Sequence, residues 1–190
     1  MWESFKSPAF SRWTSIFYWI IDVNRYIVPF TNSDEMDEAL IKALNDTVPE
    51  DGIVFHLGDF CDNSQYNRYT SRLNGNIHLI QGNHDRIVEN QQFASISEQE
   101  TIYVEGQRII LNHYPLLCFG GERTCTWQLF GHVHSGVGNE TGYDLQRLVM
   151  LFPRQYDVGV DNYGFRPVSY REIKSIIERQ VSESHQYSRA

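Results

Sequence analysis

Apolar and polar positions along this chain switch between a helical spacing and a strand spacing, and each switch marks an element. Ile16-Phe-Tyr-Trp-Ile-Ile21 is an unbroken apolar run, short enough for one buried strand, and it ends in Asp22. Asn32, with Glu35 three residues later, predicts a helix cap and its reciprocal partner. Met36, Leu40, Ile41 and Leu44 then recur on one face of that helix. Ile53-Val-Phe-His-Leu57 predicts a second strand, ended by Gly58-Asp59. A polar, helical stretch follows, and Ile77-His-Leu-Ile80 predicts a third strand, ended by Gln81-Gly82-Asn83-His84-Asp85.

Beyond Asp85 the period changes. Thr101-Ile-Tyr-Val104, a turn at Glu105-Gly106 and Arg108-Ile-Ile-Leu111 predict a hairpin that runs into Asn112-His113-Tyr114-Pro115. Thr126-Trp-Gln-Leu-Phe130 predicts another strand, ended by Gly131-His132-Val133-His134. Val158-Gly-Val160 predicts a last short strand, and Pro167-Val-Ser leads into a helix from Tyr170 to about Arg179. Crossovers in the first half and a hairpin in the second predict an α/β sandwich with sheets flanked by helices. No internal repeat interrupts this order, so residues 1–181 are expected to form a single domain. Residues 182–190, SESHQYSRA, have the composition of a flexible tail.

Composition narrows the function. A chain of 190 residues with 41% hydrophobic and 21% charged positions can bury one core and is not disordered in composition. Its net charge of −8 argues against an extended nucleic-acid footprint. A small phosphorylated ligand stays open, because bound divalent cations reverse the local field of an acidic protein. Cys61, Cys118 and Cys125 are odd in number and lack a C-x-x-C spacing, which reads as unpaired thiols in a reducing compartment. The Ile16 to Ile21 run is too short for a membrane span, and no small-residue cleavage site follows it. The expectation is a cytoplasmic protein with no membrane association.

Candidate chemistry gathers at the strand ends. Four apolar strands run into ligand-type residues: Asp59; Asn83, His84 and Asp85; His113; and His132 with His134. The carboxyl ends of strands are where α/β architectures bind ligands, since loops converge there with free backbone amides. Glycine precedes the polar residue in three of the four turns, at Gly58, Gly82 and Gly131. Carboxylate, amide oxygen and neutral imidazole are the donors of Mn²⁺, Fe²⁺, Zn²⁺ or Ni²⁺. If strand geometry continues past Phe130, His132 and His134 share one direction. His56 and His78 lie within strands and His185 in the tail, and these three read as structural.

The series Gly58-Asp59-Phe-Cys-Asp62, Gly82-Asn83-His84-Asp85, Asn112-His113-Tyr-Pro115 and Gly131-His132-Val-His134 resembles the calcineurin-like metallophosphoesterases, above all their small bacterial and phage members. The resemblance extends from about Met36 to Ile173. It implies a four-layer α/β sandwich with two mixed sheets, and hydrolysis of a phosphomonoester or phosphodiester by a metal-bound hydroxide. The implied substrate is a phosphorylated small molecule or nucleotide. By the same resemblance Asp59 bridges two metals, Asn83, His113 and His132 complete the shell of one, and His134 binds the other. His84 is then the general acid or transition-state stabiliser, and Asp85 orients it.

One motif departs from the family. Its members begin with Asp-x-His after the first strand, and this chain has no histidine before His56. The nearest match is Asp22-Val23-Asn24. Either Asp22 keeps the carboxylate role, with Asn24 a weaker donor, or this stretch is scrambled and Asp22 binds nothing. The expected cofactor is therefore one tight and one weak divalent ion, Mn²⁺ foremost, with Fe²⁺, Zn²⁺, Ni²⁺ or Mg²⁺ as alternatives. The rival reading is a catalytically impaired relative that binds a phosphoryl ligand or docks on a partner.

Overall fold

In the computed structural model the described residues, 16–19, 30, 32–61, 66–86, 92–135 and 148–187, form nine strands and three α-helices. In order they are β1 (Ile16–Trp19), α1 (Ser33–Thr47), β2 (Ile53–His56), α2 (Tyr66–Thr70), β3 (Asn76–Ile80), β4 (Ser95–Ser97), β5 (Gln99–Val104), β6 (Gln107–Asn112), β7 (Trp127–Phe130), β8 (Gln155–Asp157), β9 (Val168–Ser169) and α3 (Tyr170–Tyr187). A 3₁₀ turn, Val160–Tyr163, separates β8 from β9.

Two mixed sheets result. The first has the order β4-β3-β2-β1-β9, parallel except where β9 runs against β1. The second has the order β5-β6-β7-β8, with an antiparallel hairpin at β5-β6 and parallel pairing beyond. This is the mixed α/β architecture expected, with helices on the sheets.

Local chemistry explains the placement of α1. Asn32 Oδ1 accepts the Glu35 N–H at 2.8 Å, and acidic Asp34 and Glu35 occupy the first turn, where the helix dipole favours them. Its stripe of Met36, Leu40 and Leu44, continued by Val48, packs on Val54 and Ile77. Side chains of β2 alternate, so Val54 meets α1 while Phe55 and Leu57 point to the opposite side. There they join Ile80 with Val104, Ile109, Leu111, Trp127 and Leu129 of the second sheet, and Ile173 and Ile177 of α3. The main core therefore lies between the sheets.

Three expectations need correction. The last strand is not residues 158–160 but Gln155–Asp157. Asp157 Oδ1 accepts the Gly159 N–H at 2.9 Å, which turns the chain just where the apolar run begins. Helix α3 continues past Arg179 to Tyr187, because Ile173, Ile177 and Val181 keep one face on the core and Gln180 donates to the Pro153 carbonyl at 2.9 Å. Residues 182–187 are therefore helix, not tail. The short strands β4 and β9 were not anticipated; both are edge strands at the two ends of the first sheet. No described helix is long and apolar enough to cross a membrane.

Candidate metal centre

Parallel pairing brings the loops together. His56 lies opposite Leu79, and Leu111 lies opposite Leu129, so the loops after β2 and β3, and those after β6 and β7, leave their sheets side by side. Gly58 takes φ 102° and Asp59 φ 54°, which swings the chain sharply at the end of β2. A Cβ on Gly58 would lie 2.5 Å from His113 Nδ1, and one on Gly82 would collide with Asp59 Oδ1. Only bare backbone lets these three loops touch.

Asp85 laces the first two loops. Its Oδ1 accepts the Phe60 N–H at 2.8 Å, and its Oδ2 accepts the N–H groups of Asp59 and Gly82, each at 2.8 Å. Burial pushes its pKa up, and the three backbone donors oppose that rise. None of these described bonds reaches the His84 ring, so Asp85 shapes the loop rather than orienting that imidazole as the resemblance implied. Asp59 Oδ1 in turn accepts the His84 N–H at 2.9 Å, while the His84 side chain is exposed.

His113 is the pivot of the site. It is buried, and its Nδ1–H donates to the Leu57 carbonyl at 2.7 Å. In the neutral ring Nε2 then carries only a lone pair. Asn83 Oδ1 lies 2.9 Å from that nitrogen and Asp59 Oδ2 lies 3.5 Å from it. The ring of His132 stands 5.0 Å away, and the ligand atoms of Asp59, His113 and His132 all lie within 4.8 Å of one another. Lone pairs with no proton between them repel unless a cation sits among them. Two imidazoles, a carboxylate and an amide oxygen match a first-row divalent ion.

The end of β7 is not a continued strand. His132 and His134 both have positive φ, 69° and 46°, around a buried Val133 whose N–H donates to the Gly131 carbonyl at 2.7 Å. The condition for a shared direction is unmet, and His134 stands outside the Asp59–His113–His132 cluster. Left-handed backbone at two non-glycine residues is costly and concentrates at functional sites. Asp157 holds the segment beyond them, accepting the Ser135 N–H at 3.1 Å and its Oγ–H at 2.6 Å. Asp22 and Asn24 lie outside the described residues.

Three residues around the site carried no assigned role: Tyr114, inside the Asn112–Pro115 motif, and Gln128 and Gln155, in none. The Tyr114 ring meets His113 and His132 edgewise, at centroid distances of 4.8 and 4.7 Å. Burial, and then the Asp59 carboxylate, push its phenol pKa up, so it stays a proton donor. Beneath it Gln128 and Gln155 are paired across β7 and β8, with Gln155 Nε2 donating to Gln128 Oε1 at 2.7 Å. Gln128 Nε2 donates to the Tyr114 carbonyl at 3.1 Å, and its Oε1 accepts the Leu116 N–H at 3.2 Å. The available signal was polar: two glutamines in otherwise inward-facing strand positions.

The histidines read as structural behave differently from the site. His56 is buried, its Nδ1 accepts the Gly58 N–H at 3.3 Å, and burial, then His113, push its pKa down to about 3. His78 stacks on Phe55 and sits 2.7 Å from Ser95 Oγ. Cys61, Cys118 and Cys125 form no disulfide with one another, and Cys118 and Cys125 are exposed.

Known proteins add an independent line. The family model for the calcineurin-like phosphoesterase superfamily domain matches residues 34–148. An uncharacterised protein of Methanocaldococcus jannaschii is 29% identical over 161 residues, covering 80% of each chain. A protein of unknown function from Aquifex aeolicus has a crystal structure similar to this one, with TM-score 0.62 and 24% identity over 85% of this chain and 98% of that one. A structure of an archaeal phosphodiesterase is more distant, at TM-score 0.46 and 16% identity over 76% of this chain and 83% of that one. With the family model spanning Asp59, Asn83, His113 and His132 together, this chain belongs to the calcineurin-like phosphoesterase superfamily.

Proposed function

We propose that this protein hydrolyses a phosphomonoester or phosphodiester, with one divalent ion held tightly by Asp59, Asn83, His113 and His132. The observation that carries this reading is the meeting of His113 Nε2 with Asn83 Oδ1 and Asp59 Oδ2, which for the neutral ring protonated on Nδ1 are three acceptors with no donor among them. A superfamily that binds divalent metals supplies the expectation, and this donor set fits it. Mn²⁺ is the ion proposed first. When bound, such an ion polarises the phosphoryl group and makes water a nucleophile near neutral pH.

The chain's own groups do the rest. Leu57 fixes the His113 ring, and Asp85 fixes the backbone of Asp59, so these two groups are placed before substrate arrives. His84 has its backbone N–H tied to Asp59, and its exposed imidazole is set to hand a proton to the departing oxygen. The proposed substrate is a phosphorylated small molecule or nucleotide of the cytoplasm. A second ion is assigned to His134, Asp59 and Asp22, and held weakly.

A second reading has one observation in its favour: no histidine precedes His56, so the family's first ligand pair is incomplete. On that reading the chain binds a phosphoryl ligand or docks on a partner without turnover. Purified protein with Mn²⁺, assayed on p-nitrophenyl phosphate and its bis ester, separates the two. Turnover of either ester supports hydrolysis. Retained metal with turnover of neither supports the binding module.

A further inference from the structure

Tyr114 borders the proposed metal centre, and nothing in the hydrolytic scheme uses it. Its ring touches two metal-ligand histidines, yet its residue remains 43% exposed. The interplanar angles, 76° to His113 and 67° to His132, show that neither imidazole stacks flat on the phenol ring. Leu117, three residues on in the same loop, is 66% exposed. A phosphate alone is recognised by charge and hydrogen bonds, which the Tyr114 ring carbons and Leu117 do not supply.

The loop that carries Tyr114 is also held rigidly. The Tyr114 N–H donates to Asn112 Oδ1 at 2.8 Å, and its carbonyl accepts from Gln128. Gln155 Nε2 bridges the Leu116 carbonyl at 2.8 Å and the Gln128 amide oxygen, and Gln155 Oε1 accepts the Phe152 N–H at 2.9 Å. Gln128 and Gln155 are buried, and burying two amides is favourable only when their hydrogen bonds are met. Here that network serves the backbone at Tyr114 and Leu116. The ring's position is thus built into the fold of the second sheet.

From this placement we infer that Tyr114 is a substrate-contacting residue, its ring forming a subsite for a planar aromatic group borne on the phosphoryl centre. The inference rests on the proposed phosphoryl site, and it narrows the substrate class to aromatic esters. A flat ring next to phosphorus would meet the tyrosine while the phosphoryl oxygens turn to the ion that Asp59, His113 and His132 would hold. Aromatic pairs of this kind strengthen binding beyond simple area burial.

The test is equilibrium binding, with no turnover required. Phenylphosphonate and methylphosphonate are titrated calorimetrically into the full chain loaded with Mn²⁺, in wild type, Tyr114→Phe and Tyr114→Ala. The expected result is a phenyl-over-methyl preference of roughly two- to tenfold in wild type and Tyr114→Phe, abolished in Tyr114→Ala, with metal content equal in all three. Equal binding of the two phosphonates to wild type, or a preference that survives in Tyr114→Ala, overturns the subsite and leaves the hydrolytic reading standing. Loss of metal in Tyr114→Ala also overturns it, by showing that the ring only braces the ligands. Failure of both phosphonates to bind wild type removes the phosphoryl site and the subsite together.

Discussion

His113, just after β6 of the second sheet, donates from Nδ1 to the carbonyl of Leu57, just after β2 of the first sheet, at 2.7 Å. This one bond ties the two sheets at the point where their loops meet and sets the ring's tautomer. In the neutral ring with Nδ1 protonated, Nε2 faces Asn83 and Asp59 as a bare acceptor. The fold thus prepares a ligand rather than leaving one to chance.

Removing either imidazole should therefore empty the site. His113→Ala and His132→Ala are each expected to lower bound metal after dialysis and to abolish turnover. His113→Ala should in addition destabilise the chain, because it leaves the buried Leu57 carbonyl without its donor, at a cost of roughly 1–3 kcal/mol. Elemental analysis and urea unfolding read both effects. Metal content and turnover like wild type in both variants would reject the ligand assignment.

His84 should separate chemistry from metal binding. Its backbone, not its ring, engages Asp59, and its side chain is exposed. His84→Ala is expected to keep bound metal and lose about 10²–10⁴-fold in kcat, the usual contribution of a positioned acid. Should the metal depart with the side chain, His84 is a ligand and the division of roles fails.

Much of this arrangement was readable before the structure. Asp59, Asn83, His113 and His132 each follow an apolar strand within a few residues, and both sheets point their parallel strand ends at one place. What resisted reading depends on contacts between distant segments. Strand β8 carries Gln155 and Asp157 inward, so its apolar pattern is missing and the eye moves on to Val158 and Val160. Asp85 looked like a partner for the adjacent His84, yet its carboxylate found three backbone amides across two loops. The positive φ of His132 and His134, on either side of a buried Val133, likewise follows from no spacing rule.

His56 should impose a pH dependence on stability. Its folded pKa is pushed down to about 3 by burial and by His113, whereas an unfolded histidine titrates near 6.5. Between those values the unfolded chain takes up a proton that the folded chain refuses. The stabilisation is thus complete above the unfolded pKa and is lost as pH falls toward the folded one. From pH 7.5 to 5.5 this single group should remove about 1.4 kcal/mol of unfolding free energy. His56→Gln, which keeps an acceptor for the Gly58 N–H, should lose that component of the slope. Urea unfolding at the two pH values measures it, and identical slopes in both proteins would mean that His56 protonates within the fold.

Metal stoichiometry is the sharpest test of the incomplete first motif. Asp59, Asn83, His113 and His132 give one ion a four-donor set, which is what a tight site needs. His134 stands outside that cluster, and the sequence offers Asp22 and Asn24 where relatives of this type carry Asp-x-His. A second ion would draw on Asp59, His134 and oxygen donors, a combination that suits Mn²⁺ or Mg²⁺ better than Zn²⁺ or Ni²⁺. About one metal per chain should therefore survive dialysis, with turnover low until excess Mn²⁺ is added. Asn24→His should raise second-ion occupancy and turnover together, since imidazole replaces the weaker amide oxygen. Two ions retained by the unaltered chain would contradict the weak second site. An Asn24→His chain that binds and turns over like wild type would instead remove Asp22-Val-Asn24 from the site, because a true first motif cannot gain an imidazole without the second ion responding.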